Sequence, residues 1–103
     1  MSFSITWMPE AFKTFDDRID YLKIHWTDKE IIKFQNRVKE YLDLLKDEPY
    51  IGKKPGKVRN VYVGLIIKPV SLIYRVKALN KEIELLLFVD NRQDPKKIRK
   101  YKT

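Results

Sequence analysis

Apolar residues recur along the chain with two different periods, and the change from one to the other falls near residue 50. In the opening segment "FSITW", Phe3, Ile5 and Trp7 alternate with polar residues, as expected of a short strand with one buried face. Pro9 suits the first position of a helix, where its missing N–H costs nothing, and Glu10 sits well at the positive helix start. Phe12, Phe15, Ile19, Leu22 and Trp26 then follow at steps of three and four, which predicts one apolar stripe on a helix of about four turns. "WTDKEI" reads as a capping box: Thr27 accepts from the N–H of Glu30, Glu30 reaches back to that of Thr27, and Trp26 and Ile31 flank them as a staple. Ile31, Phe34, Val38, Tyr41 and Leu45 repeat the helical spacing, widened by Leu42, until Pro49 and Gly52 stop it. Residues 9 to 48 or so thus form an antiparallel helical hairpin with almost no loop.

Beyond it the period shortens to two. "VRNVYV", "VSLIYRV" and "IELLLFV" are rich in β-branched and aromatic residues and are separated by Lys68-Pro69 and Asn80-Lys81, which suit turns. They predict three antiparallel strands over about residues 57 to 90. In the second, Val70, Leu72, Tyr74 and Val76 share one face and Ser71, Ile73 and Arg75 the other, so Tyr74 reads as core. In the third, both faces are apolar apart from Glu84, which suits a central strand. Phe88 and Val89 close that strand, Asp90 and Asn91 suit a turn, Pro95 blocks simple continuation, and residues 92 to 103 read as a loose basic tail. The fold class is α+β: an N-terminal strand and an antiparallel helical hairpin packed on a twisted, mostly antiparallel sheet of three to four strands.

Length and charge sharpen this picture. The 103 residues are expected to form a single domain spanning 1–103, and 44% hydrophobic residues suffice for one core. No apolar run approaches the roughly twenty residues of a membrane span, and the N-terminus lacks the basic and apolar regions of a signal peptide, so a cytoplasmic location is expected. The absence of cysteine excludes disulfides, thiolate metal sites and a cysteine nucleophile. The net charge of +8 is unevenly spread: residues 1–50 carry −2 and residues 51–103 carry +10. A polyanionic partner, nucleic acid or an acidic protein segment, accounts for such asymmetry better than solubility does.

Side-chain chemistry offers little in the way of familiar catalytic sets. His25 is the only histidine and falls at the end of the first helix, where the dipole favours it, without a visible orienting partner. Asp16, Asp17 and Asp20 lie near Lys13, Arg18 and Lys23 and read as solvated helix residues; no further ligands complete a metal site. No cofactor motif is present. The remaining signal is basic and aromatic: Lys53, Lys54, Lys57 and Arg59 before or within the second strand, Arg75 on the third, and Arg92, Lys96, Lys97, Arg99 and Lys100 after the last, with Tyr62 or Tyr101 nearby. Such residues can position phosphates and stack on bases.

The order of elements and several residue patterns resemble the RelE/ParE superfamily of toxins from bacterial type II toxin–antitoxin systems. The resemblance runs from "ITWMPEAF" to "IELLLFVDNR", and "IDYLKIHWTDKEIIKF" with "LDLLKDEPYIG" looks most like the ParE branch. It implies a toxin that inhibits growth and is neutralised by a cognate antitoxin whose C-terminal segment, acidic and amphipathic, wraps around it. ParE-like members inhibit DNA gyrase without catalysis; RelE-like members cleave messenger RNA on the ribosome without a metal. For the gyrase reading, Arg59, Arg75 and Arg92 are the expected target contacts. For the nuclease reading, Lys57 and Arg59 would serve as the second-strand basic pair and Arg92 as the arginine after the last strand. Ser71 stands where the family's third-strand arginine is expected, with Arg75 four residues later, and Tyr101 comes three residues beyond the place of the family's tyrosine, near Ile98.

Overall fold

The computed structural model describes residues 2–92 and 95–101. Strand β1 (Ser4–Trp7) leads into helix α1 (Pro9–His25) and helix α2 (Asp28–Asp47); strands β2 (Val61–Ile67), β3 (Val70–Lys77) and β4 (Glu82–Asp90) follow, with a 3₁₀ turn at Ala78–Asn80 and a short helix α3 (Pro95–Arg99). The sheet order is β1-β4-β3-β2, parallel between β1 and β4 and antiparallel elsewhere. β4 is central, as its two apolar faces require.

The helical hairpin forms where the periodicity places it. Pro9 opens α1, and at α2 the Glu30 N–H donates to Thr27 Oγ1 at 3.3 Å while the Thr27 N–H donates to Glu30 Oε1 at 3.3 Å, closing the capping box. The stripe on α1 holds at Phe15, Ile19, Leu22 and Trp26, which lie in or against the core, and Ala11 and Thr14 widen it, whereas Phe12 is exposed and stacks on Trp7 at 5.1 Å. α1 lies so close to β4 that small residues must face it. Thr14 replaces a strand neighbour: beyond the end of β1, the Phe88 N–H donates to Thr14 Oγ1 at 2.9 Å, and that hydroxyl donates to the Glu10 carbonyl at 2.7 Å. A backbone donor left open by the short β1 is thereby satisfied.

β2 begins at Val61 and not at Val58, because Asn60 adopts a left-handed conformation (φ 63°) that no strand continues through. In β4 the register steps from Ile73↔Leu87 to Tyr74↔Leu85, leaving Leu86 as a bulge. One extra residue reverses the faces. Ile83, Leu85 and Phe88 therefore point to the helices with Leu72, Tyr74 and Val76, while Leu87 and Val89 join Val61 and Ile73 on the opposite face. That opposite face is covered by the C-terminal segment: Ile98 and Tyr101 pack on it, together with Val58. The stretch expected to be a loose tail thus contains a helical turn with apolar anchors; Lys102 lies outside the described residues.

Candidate functional site

Four tyrosines knit the open end of the hairpin to β2 and β3. Tyr62 stacks on Tyr74 at 5.8 Å, Tyr41 meets Tyr74 edge-on at 6.5 Å, and Tyr50 meets Tyr62 at 5.6 Å. The Gly52 N–H donates to the Tyr74 hydroxyl at 3.0 Å. Both glycines here are forced by close approach: a Cβ at Gly52 would lie 2.6 Å from the Tyr74 hydroxyl, and one at Gly64 would collide with the Tyr41 ring. Burial pushes the hydroxyl pKa of Tyr74 well above the ordinary tyrosine value, reinforced by neighbouring Tyr41; burial likewise raises Tyr41, offset in part by its hydrogen bond with Tyr74. These hydroxyls are structural acids that stay protonated. The Tyr62 ring, with Tyr74 on one side and the Lys54 ammonium 5.9 Å from its centroid, is not a free stacking platform.

The predicted basic residues divide between the two ends of the sheet. At one end, β3 brings Arg75 opposite Val61, and the Val76 N–H donates to the Asn60 carbonyl at 2.9 Å, so Arg59 lies beside Arg75 and Lys77. Arg75 is ion-paired with Glu84 at 3.3 Å, and Lys77 lies 3.7 Å from Glu82 and 3.8 Å from Glu84. Glu84 is therefore the counter-charge of this end. Lys57 is exposed in the irregular segment before β2. At the other end, Val70 pairs with Asp90, and Arg92 follows the strand. Val70 and Arg75 are five residues apart, about 17 Å along the strand. Arg92 is accordingly not brought together with Arg59 and Arg75.

Arg92 is held from below. Asp90, 2% exposed, accepts the Arg92 N–H at 2.8 Å in a tight side-chain turn, stands 3.9 Å from Arg92 Nε, and is itself paired with Arg18 of α1 at 3.4 Å. A buried carboxylate needs such partners. The Arg92 side chain, 75% exposed, borders a cleft of about 530 Å³ that also contains Trp26, Leu65, Lys68, Pro69 and Asn91. Ser71 is buried nearby, and its Oγ accepts from Asn91 Nδ2 at 2.9 Å. Tyr101 packs on the back face with Ile73 and Leu87, with Lys100 Nζ 5.2 Å from its ring. The nuclease roles inferred from the resemblance are therefore spread over both ends and the back of the sheet. The role of Asp90 beneath Arg92 was not foreseen; its signal is an Asp two residues before an Arg at a strand end.

A second concavity, also about 530 Å³, lies between β1 and the hairpin, floored by Trp7, Phe15, Val38 and Leu42 and rimmed by Asp16, Asp43, Lys39 and Lys46. His25 is exposed with its ring 4.4 Å from Tyr21, and Asp17 pairs with Lys13 at 3.1 Å. Among the described residues, no group of three His, Cys, Asp or Glu is placed to hold a metal ion, and no helix is long and apolar enough to cross a membrane.

Residues 5–95 match the family model of the ParE toxin of the type II toxin–antitoxin system parDE. No curated protein sequence matches the chain. Among solved structures, the chromosomal ParDE system from P. aeruginosa is similar, with a TM-score of 0.67 at 23% identity over 86% of this chain and 96% of that one. A free E. coli RelE mutant gives a TM-score of 0.68 at 12% identity, covering 98% and 94% of the two chains. A RelBE toxin–antitoxin complex from Mycobacterium tuberculosis gives 0.60 at 13%, covering 87% and 99%. These likenesses establish a shared α+β fold, and the sequence match, spanning nearly the whole chain, assigns the branch: the chain belongs to the ParE toxin family of type II toxin–antitoxin systems.

Proposed function

We propose that this toxin arrests growth by binding DNA gyrase, as a protein ligand and not as an enzyme, and that a cognate antitoxin silences it. The observation that carries this reading is the dispersal of the nuclease roles. Ser71 occupies the expected arginine position and is tied to Asn91, Tyr101 is packed in the back-face core, and Arg59 and Arg75 lie at the far end of the sheet from Arg92. General acid–base cleavage of RNA needs its acid, base and phosphate-binding cations within a few ångströms of one reacting group. A binding surface has no such requirement; Arg59, Arg75 and Arg92 can each contact a large target separately. The test is supercoiling by purified gyrase at rising toxin excess. Dose-dependent inhibition is expected, and its absence at high excess overturns the reading.

The antitoxin is expected to lay an amphipathic segment in the groove between β1 and the hairpin, with apolar residues on Trp7, Phe15 and Val38. The rim of that groove is mixed in charge, with Asp16 and Asp43 opposite Lys39 and Lys46, so the segment's carboxylates must reach beyond it to the basic sheet and C-terminal region. The neighbouring ParDE and RelBE structures are toxin–antitoxin assemblies, which supports a partner of this kind. Residues of opposite sign on both partners would make the complex tighten at low salt.

A ribosome-dependent endoribonuclease is the second reading, favoured by one observation: Arg92 is exposed and borders a cleft with Lys68 and Trp26. Primer extension on translated messenger RNA separates the two readings. Discrete cuts within codons, abolished by Arg92→Ala, would establish the nuclease.

A further inference from the structure

The turn joining β3 to β4 carries the most exposed large apolar side chain among the described residues, Leu79 at 102%. Apices of short turns usually hold Gly, Asn, Asp or Ser, which suit the backbone and the solvent, whereas the leucine here buries no surface within the fold. The backbone beneath it is fixed. Lys81 takes a left-handed conformation (φ 50°), its N–H donates to the Ala78 carbonyl at 3.2 Å, and its own carbonyl accepts from the Ser4 N–H of β1 at 2.9 Å. Leu79 is thus presented on a turn clamped to the sheet at its base.

Its surroundings have one chemical character. The crevice beside it is lined by Arg59, Asn60, Lys77 and Asn80, with Ala78 and Leu79 and no carboxylate. The nearest acids on the sheet, Glu82 and Glu84, are engaged by Lys77, Arg75 and the Thr6 hydroxyl, which donates to Glu82 at 2.7 Å. Among the described residues Arg59 and Lys81 have no ion-pair partner. A rigid apolar wedge flanked by cations and amides is the combination with which proteins enter the minor groove: the wedge unstacks a base step, the amides meet base-edge acceptors and the cations hold the phosphates. A protein partner would need an apolar socket ringed by carboxylates, and the two asparagines would add nothing to its recognition.

We propose that the β3–β4 turn is a DNA-binding finger: Leu79 wedges into a base step from the minor groove of duplex DNA, with Arg59 and Lys81 on the flanking phosphates and Asn60 and Asn80 toward the base edges. The proposal goes beyond gyrase binding and is tested without gyrase, so either can fail alone. The full chain is titrated into an A·T-rich duplex of about two helical turns, end-labelled for energy transfer and anisotropy. Binding with a log–log salt slope of about −2 is expected, since two unpaired cations each neutralise one phosphate. End-to-end transfer should rise as the duplex bends. Arg59→Ala should reduce the slope by about one. Leu79→Ala, at a fully exposed site, should leave the melting temperature and the salt slope unchanged and remove the bend. Failure to bind duplex at low salt overturns the proposal, as does a bend that survives Leu79→Ala.

Discussion

The two ends of the sheet hold the same kind of side chain in different circumstances. At the β3–β4 turn, Arg75 and Lys77 are matched by Glu84 and Glu82 on the neighbouring strand, a partly exposed network in which each cation has its counter-charge beside it. At the Arg92 end, the counter-charge is buried and belongs first to another residue: Asp90 is paired with Arg18 of α1 and spends its second oxygen on the Arg92 backbone. The first end is a set of paired cations with Arg59 and Lys81 standing unpaired beside it among the described residues. The second is an exposed arginine on a rigid buried support. A cross-strand pair fixes one end of two neighbouring strands at low cost, whereas a buried carboxylate fixes a direction, because its partners cannot move without leaving a charge in the core.

The largest way to break this contrast is Arg18→Ala. It strips a guanidinium from a carboxylate that is 2% exposed, and a loss of stability on the order of 3 kcal/mol is expected in urea titration. Arg75→Ala at the other end should cost about 0.5 kcal/mol or less in the same titration, since its side chain is 42% exposed and Glu84 keeps Lys77. If the two substitutions cost the same, the difference between the ends is not one of burial.

An intermediate effect is expected between the ends. Thr14→Val keeps the shape but removes the acceptor of the Phe88 N–H, and should cost about 1–3 kcal/mol by leaving that donor unsatisfied in the core. Hydrogen exchange at Phe88 should accelerate by more than at Val76, whose N–H donates to the Asn60 carbonyl and whose β4 partner is Ile83. Gly64→Ala should be of similar size, through displacement of the Tyr41 ring.

A smaller effect concerns alkaline stability. Tyr41 and Tyr74 have raised pKa values in the folded chain, so the unfolded chain releases their protons first, above the ordinary value of 10. The stability they contribute is complete below about pH 10 and is lost as pH rises toward the folded-state values. Tyr74→Phe should flatten that decline, while costing about 1 kcal/mol at neutral pH because the Gly52 N–H loses its acceptor. Melting temperature followed between neutral and strongly alkaline pH reads both effects.

The helical hairpin was legible almost residue by residue, because its signals are local. A capping box needs only Thr27 and Glu30 three positions apart, and the α2 stripe needs only its own spacing. The α1 stripe departs from its spacing at Phe12 alone, and the cause lies elsewhere in the chain: β4 approaches α1 at Ala11 and Thr14 and leaves Phe12 to cover Trp7. The β4 bulge was hidden for the same kind of reason. "IELLLFV" supports any register, and pairing with β3 and the segment carrying Ile98 and Tyr101 decided which leucines face which side.

The candidate site divides along the same line. The sequence by itself determined the charge asymmetry, the central strand, the turn after Asp90 and a set of basic residues, since composition and short-range pattern suffice for these. Only the tertiary structure decided that Arg59 and Arg75 share one end of the sheet, that Arg92 stands at the other on an Asp90–Arg18 support, and that Leu79 crowns a clamped turn. Strand register sets the distance between residues far apart in sequence, and one bulge or one left-handed residue shifts it, so which charges meet is a property of the fold.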